Sequence, residues 1–187
     1  MSRGTTDLLV RFRNSIALPI LLGVLLFTLG AVMIEGFASE RSVRAILVLA
    51  SFVGLASVGQ SLVVVMGGID LSIPFLVGVA NIVAAEAFGA GIADPLVVVL
   101  VVALTASIGA LNGFLSRRFR VHPLIITLGI GTAALAATLW WTAGFPSGST
   151  PGWITGTISM AASTGPIPLP PIVVLWAIVA VGVVFVE

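Results

Sequence analysis

Apolar residues in this chain fall into long uninterrupted runs, not the spaced stripes of a water-soluble helix. Residues 14–34 form 21 positions without a formal charge, 45–69 form 25, and 95–116 form 22. A further run, 71–93, is broken only by Glu86, and 121–186 carries no formal charge at all. A helix needs about 20 apolar residues to cross a hydrocarbon core of about 30 Å, so each of these runs is a candidate span. The last is too long for one helix and is punctuated over 143–171, where Gly, Pro, Ser and Thr crowd together as in loops or short interfacial structure. Splitting it there leaves a helix near 124–141 and a short one from about 172 to 187. Trp140, Trp141 and Trp153 then fall at a membrane–water boundary, where indole rings concentrate.

The predicted class is therefore an all-α membrane protein, a polytopic helical bundle. It has about five full transmembrane helices and a truncated sixth, in one transmembrane domain over 1–187. Composition agrees: 59% of the 187 residues are hydrophobic and 8% charged, against about 25% charged in soluble domains. Membrane lipid is its surrounding partner. Arginine placement orients the chain. With the N-terminus in the cytoplasm, Arg3, Arg11, Arg13, Arg117, Arg118 and Arg120 lie inside, and only Arg41 and Arg44 outside, as the positive-inside rule prefers. The first apolar run exceeds a signal-peptide core and is followed by only a weak Gly-Phe-Ala site at 36–38, so it reads as a retained anchor.

Several chemistries are excluded. The sequence has no cysteine, and all eight basic residues are arginine. Disulfides, thiolate metal sites and thiol nucleophiles are thus absent, and so is a P-loop, which requires lysine. The single His122 cannot build a multi-histidine chelate, and beside three arginines it reads as a boundary residue. No nucleophile–base pair or metal cluster stands out, so an enzyme is not expected, no cofactor is expected on this chain, and a net charge of +1 gives no sign of a nucleic-acid partner.

Polar residues inside the runs carry the remaining signal. Gly67 and Gly68 suit a helix C-terminus, Ser72 an N-cap, and Pro74 the first turn of a new helix. Asp70 lies in that joint. It either caps a tight cytoplasmic turn or lines a broken helix at depth, a device of transport proteins. Gln60 and Asn81, inside candidate spans, need partners in hydrocarbon and face either neighbouring helices or a solute path. Glu86 lies toward the outer end of its run. Gly109 and Gly113 form a GxxxG, with Asn112 between them, and Gly129, Ala133 and Ala137 repeat small-residue spacing on the next helix, both read as close helix packing.

Two stretches, VGQSLVVVMGGIDLSIPFLVG at 58–78 and GALNGFLSRRFRVHPLIITLG at 109–129, resemble landmarks of ABC-importer permeases of the ribose, xylose and galactoside type, in that family's order and spacing. The resemblance covers roughly 51–144. It implies a permease that pairs with a second, identical or sibling, permease subunit. Solute would come from an extracytoplasmic binding protein, and separate ABC ATPase subunits would drive transport. It assigns Gln60, Gly67, Gly68, Asp70 and Ser72 to the conformationally special joint, and Asn112 and Gly113 to the second landmark. Gln60 and Asn81 are expected to face the pore, and the 143–171 loop to meet the binding protein. Such permeases usually continue through a second half, so an N-terminal portion or a truncated frame is expected here. The substrate stays open among pentoses, hexoses, polyols and sugar-derived signals. Two alternatives remain: an ion-coupled carrier using Asp70 or Glu86, and a non-conducting structural subunit that would tolerate Gln60→Leu and Asn81→Leu.

Overall fold

A computed structural model describes residues 17–186. Arg3, Arg11 and Arg13, on which the orientation partly rests, lie outside the described residues. Among the described residues seven helices follow in chain order: α1 (Ala17–Met33), α2 (Glu40–Val65), α3 (Ile73–Gly89), α4 (Asp94–Phe119), α5 (Pro123–Trp141), α6 (Gly152–Ile158) and α7 (Pro171–Val186). Among the described residues there is no strand, only an isolated bridge between Thr164 and Ile167. The six apolar helices stand where the uncharged runs predict, and the short α6 falls inside the Gly/Pro-rich 143–171 segment. By length and composition α2, α4 and α5 are long enough to cross a membrane. With 17 residues each, α1 and α3 reach only the lower limit of about 17–25 for a span.

Helix ends extend past the uncharged runs where charge suits them. The first turn of α2 holds Glu40, whose carboxylate pairs with Arg44 one turn on at 2.7 Å. The last turn of α4 holds Arg117 and Arg118. Acidic groups at an N-terminus and basic groups at a C-terminus complement the helix dipole.

The chain forms two compact units, divided between Leu47 and Val48. In the first, the Phe27 and Phe37 rings sit 5.5 Å apart, and Gly30 leaves the space that the Phe37 ring fills. In the second, α3, α4 and α5 contact one another, and α6 contacts α7. The buried positions mix apolar side chains, Val79 and Val97 foremost, with the polar Ser51, Ser72, Asn112, Thr127 and Thr138, whereas Val65 and Trp140 are each 86% exposed. A water-soluble domain exposes fewer large apolar side chains. Lipid places no penalty on outward valine, and polar groups hydrogen-bond inward.

Small residues set the helix spacing. A Cβ on Gly131 of α5 would lie 2.8 Å from the Phe75 ring and 3.0 Å from the Ser72 Cα, and one on Gly78 of α3 would lie 3.1 Å from Leu135. Gly129, which the small-residue spacing singles out, faces open space instead. The packed face of α5 is thus offset from that stripe and runs through Thr127, Gly131 and Thr138, its buried residues.

Helix α2 meets α7 at Gly54, where an added Cβ would overlap the Trp176 indole. Gly54→Ala is expected to destabilise the protein by about 1–3 kcal/mol, the usual range for overpacking. In a Trp176→Ala background it should cost almost nothing. A double-mutant cycle on unfolding midpoints in detergent checks this, and simple additivity would refute it.

Candidate functional site

Where α2 ends, the backbone closes as the sequence predicts. Gly67 takes φ +80°, its N–H bonds the Val64 carbonyl at 2.9 Å, and the Gly68 N–H bonds the Val63 carbonyl at 3.0 Å. This pair of bonds is the Schellman closure, which requires the left-handed conformation that glycine adopts without strain. The new helix starts at Ile73, with Pro74 in its first turn.

Ser72 occupies the N-cap position, but its side chain caps nothing. Asp70 accepts both of its protons instead: the Ser72 N–H donates to Asp70 Oδ1 at 2.7 Å and the Ser72 hydroxyl to the same oxygen at 2.6 Å. A carboxylate two residues upstream binds these donors more strongly than a hydroxyl would cap N–H groups further along. Asp70 therefore closes the turn, and it does so beside the positive end of α3.

From Ser72 the network passes to the second landmark. Asn112 of α4 donates from Nδ2 to the Ser72 Oγ at 3.0 Å. Thr127 of α5 accepts from the Leu71 N–H through its Oγ1 at 3.0 Å. Three helix ends meet here: the start of α3, the C-terminal part of α4 and the start of α5. His122 caps α5 by accepting the Leu124 N–H at Nδ1, 3.3 Å away, and Arg120 closes α4 in the left-handed region at φ +53°. Asp70 therefore lies at the end of the bundle that also carries Arg117, Arg118 and Arg120.

Beside the network lies a cleft of about 310 Å³, lined by Asp70, Asn112, Ser116, Arg117 and Thr127 among others. Gly109 and Gly113 form part of its wall, and a Cβ on either would meet nothing within 4 Å. Among the described residues nothing fills the space in front of the two glycines; the buried residue of the motif is Asn112, 3% exposed. Asn112 Oδ1 and Ser116 Oγ are buried without a hydrogen-bond partner.

The other polar residues stand apart. Gln60 is half-buried with Oε1 unpartnered, and Asn81 is exposed on α3. Neither lines the cleft, and the structure does not bring them together there. Glu86 is at the far end of α3, where its Oε1 accepts the Ser147 N–H at 2.6 Å. The same loop is held by the Ser149 N–H on the Ala85 carbonyl at 3.0 Å. Trp153 donates from Nε1 to Asp94 at 2.7 Å. Among the described residues no group of three or more His, Cys, Asp or Glu side chains could hold a metal ion.

Sequence reasoning missed Thr127, Ser116 and Arg117. Ser116 follows Asn112 by four residues, so helical periodicity alone could have placed both on one face. Thr127 carries no such signal, since its partner Leu71 lies far away in sequence.

The D-allose transport system permease of Escherichia coli (strain K12) is 29% identical over 121 residues, 64% of this chain and 37% of that protein. The fructose import permease of Rhizobium meliloti is 30% identical over 129 residues, 68% of this chain and 36% of that protein. The autoinducer 2 import system permease of Escherichia coli (strain K12) is 35% identical over 77 residues, 41% of this chain and 23% of that protein. The chain thus spans little more than a third of the length of these relatives at most. No solved structure matches it. A family model described as the permease component of branched-chain amino acid transport systems matches residues 42–186, from the first turn of α2 through α7, and the chain belongs to that family of membrane permeases.

Proposed function

We propose that this chain forms part of the multi-pass, inner-membrane permease of an ABC importer, moving a sugar or sugar-like solute with energy from separate ATPase subunits. The observation that carries this reading is the family match over 42–186, together with relatives named for allose, fructose and autoinducer 2. The missing lysine agrees, because the P-loop then belongs to another chain. The partners in this reading are the ATPase pair, a second permease subunit and an extracytoplasmic binding protein. The N-terminus lies in the cytoplasm, so the joint at Asp70 and the α4–α5 turn face the ATPases, while the 143–151 loop and α6 face the binding protein.

Asp70 is engaged by donors of its own turn and Glu86 by the Ser147 N–H of the loop after α5, which favours structural roles over ion coupling. The test is uptake into proteoliposomes holding the permease, its ATPase and its binding protein. Uptake of a sugar is expected to require internal ATP and to persist when a protonophore collapses the proton gradient. Uptake that ignores ATP and collapses with the gradient would replace this reading with the ion-coupled one.

A further inference from the structure

Arg117, Arg118 and Arg120 put three exposed guanidinium groups on the turn between α4 and α5. Among the described residues none of them forms an ion pair. Asp70, which shares a cleft with Arg117, is already held by the Ser72 N–H and hydroxyl. The C-terminal end of α4 supplies only about half a negative charge from its dipole, against three positive ones. Arg120 is also the residue that closes α4 at φ +53°, a conformation that glycine adopts without strain and that a Cβ disfavours. A cation thus stands where local backbone geometry calls for glycine, and the fold around it offers no counter-charge.

Apolar surface accompanies this charge. The Arg118 guanidinium stands over the Phe119 ring, 5.8 Å from its centroid, and Phe119 is 62% exposed. Helical spacing puts Leu111 and Phe114 on the α4 face that ends at Arg118, and both are exposed, Phe114 again at 62%. Further along the helix the same face carries exposed Leu100 and Leu96.

We infer that this turn binds an anionic phospholipid, its phosphate held by the three arginines and its acyl chains lying on the Leu111–Phe114 face of α4. Charge and apolar surface select this partner together. Guanidinium forks match phosphate oxygens, and anionic leaflets attract basic residues beside membrane helices. An acidic protein segment docking from the water phase would satisfy the arginines and leave Phe114, one turn deeper on an apolar helix, uncovered. One lipid molecule covers both. A zwitterionic lipid brings its own cation against the arginines and is disfavoured. The inference is independent of the solute carried and of the side of the membrane that this turn faces.

The cysteine-free sequence allows a single reporter. Leu111→Cys, near the arginines, and Leu96→Cys, at the far end of the same face, are each labelled with bimane before the permease is assembled with its ATPase in liposomes. Phosphatidylglycerol or phosphatidylcholine, brominated on the acyl chains, is then titrated into an unbrominated phosphatidylcholine host of equal composition in both leaflets. Phosphatidylglycerol is expected to half-quench the Leu111→Cys reporter at a severalfold lower mole fraction than phosphatidylcholine, and to show no such preference at Leu96→Cys. Combining Arg117→Gln, Arg118→Gln and Arg120→Gln should make the two curves coincide. Arg120→Gly alone guards against a folding artefact: it relieves the left-handed strain, so its unfolding midpoint should rise while at least half of the preference is lost. Coincident curves in the wild-type background would overturn the proposal, as would equal preference at both reporters. A preference that survives the triple substitution, or is undiminished in Arg120→Gly, would do the same. Quenching of the Leu111→Cys reporter by neither lipid would mean that protein covers this face, which also overturns it.

Discussion

Replacing Asp70 with alanine is expected to destabilise the bundle by about 3–5 kcal/mol, the sum of two hydrogen bonds to a charged acceptor at about 1.5–3 kcal/mol each, less what local relaxation recovers. The cost is large because the donors have nowhere else to go. Ser72 is 0% exposed, and Gly131 of α5 packs directly on its backbone, so water cannot replace the carboxylate without opening the α3–α5 contact. Asp70→Asn keeps an oxygen in reach of both donors and should cost about 1–2 kcal/mol, the difference between charged and neutral acceptors. The network also predicts a pattern of coupling. Asp70 and Asn112 are joined through the Ser72 hydroxyl, which donates to one and accepts from the other. Their alanine substitutions should therefore interact in wild-type background and become additive once Ser72→Ala is present. Denaturant unfolding of the detergent-solubilised protein measures all of these. An Asp70→Ala midpoint equal to wild type, or coupling that survives Ser72→Ala, would remove the carboxylate from its place at the head of the chain.

Local features of this joint were legible in the sequence, and its long-range partners were not. Gly67, Gly68 and Pro74 act through backbone geometry alone, so their spacing predicted a helix end and a helix start within a few residues. Asp70 left two readings, a turn cap or the lining of a broken helix at depth; the structure shows it holding the turn through Ser72 and bordering a cleft. Ser72 was read as an N-cap because a serine before Ile-Pro fits that role locally; the competing carboxylate two residues upstream takes its proton instead. Asn112 lay inside a GxxxG, and the small residues drew the packing assignment, whereas the amide is what is buried and the glycines face an open cleft. Small residues report where a neighbour fits only if a neighbour is there. On α5 the same reasoning chose the face of Gly129, when the helix turns Gly131 inward. Spans were easier. Every candidate is a run of residues that water would not solvate, and that property survives any arrangement of the helices, although charged residues extended α2 and α4 by up to a turn and a half at one end.

At the other end of the bundle, Gly148→Ala is expected to release the loop that follows α5. The glycine lies flat on α3, and an added Cβ would overlap the Ala85 carbonyl group and the Glu86 nitrogen. These are backbone atoms inside a helix, so they cannot yield as the tip of a side chain would. The loop must lift, and lifting breaks the Ser147 N–H bond to Glu86 at 2.6 Å and the Ser149 N–H bond to Ala85 at 3.0 Å. A charged and a neutral hydrogen bond together are worth about 2–4 kcal/mol, which sets the expected loss of local stability. Gly156→Ala is the control: it sits in α6 with nothing within 4 Å of its Cβ position, and alanine there should stabilise the helix by up to about 1 kcal/mol. Glu86→Gln retains an oxygen for the Ser147 N–H and should fall between the two. Hydrogen exchange at the 147 and 149 amides separates these outcomes, because both protons become exchangeable only when the loop detaches. Unchanged protection in Gly148→Ala would mean that the loop re-seats with its side chain accommodated, and that the close approach to α3 does not hold it. In the importer reading this loop and α6 meet the binding protein. A detached loop should then weaken docking while leaving the Asp70 end of the bundle intact, and measuring both ends in one variant distinguishes local release from general unfolding.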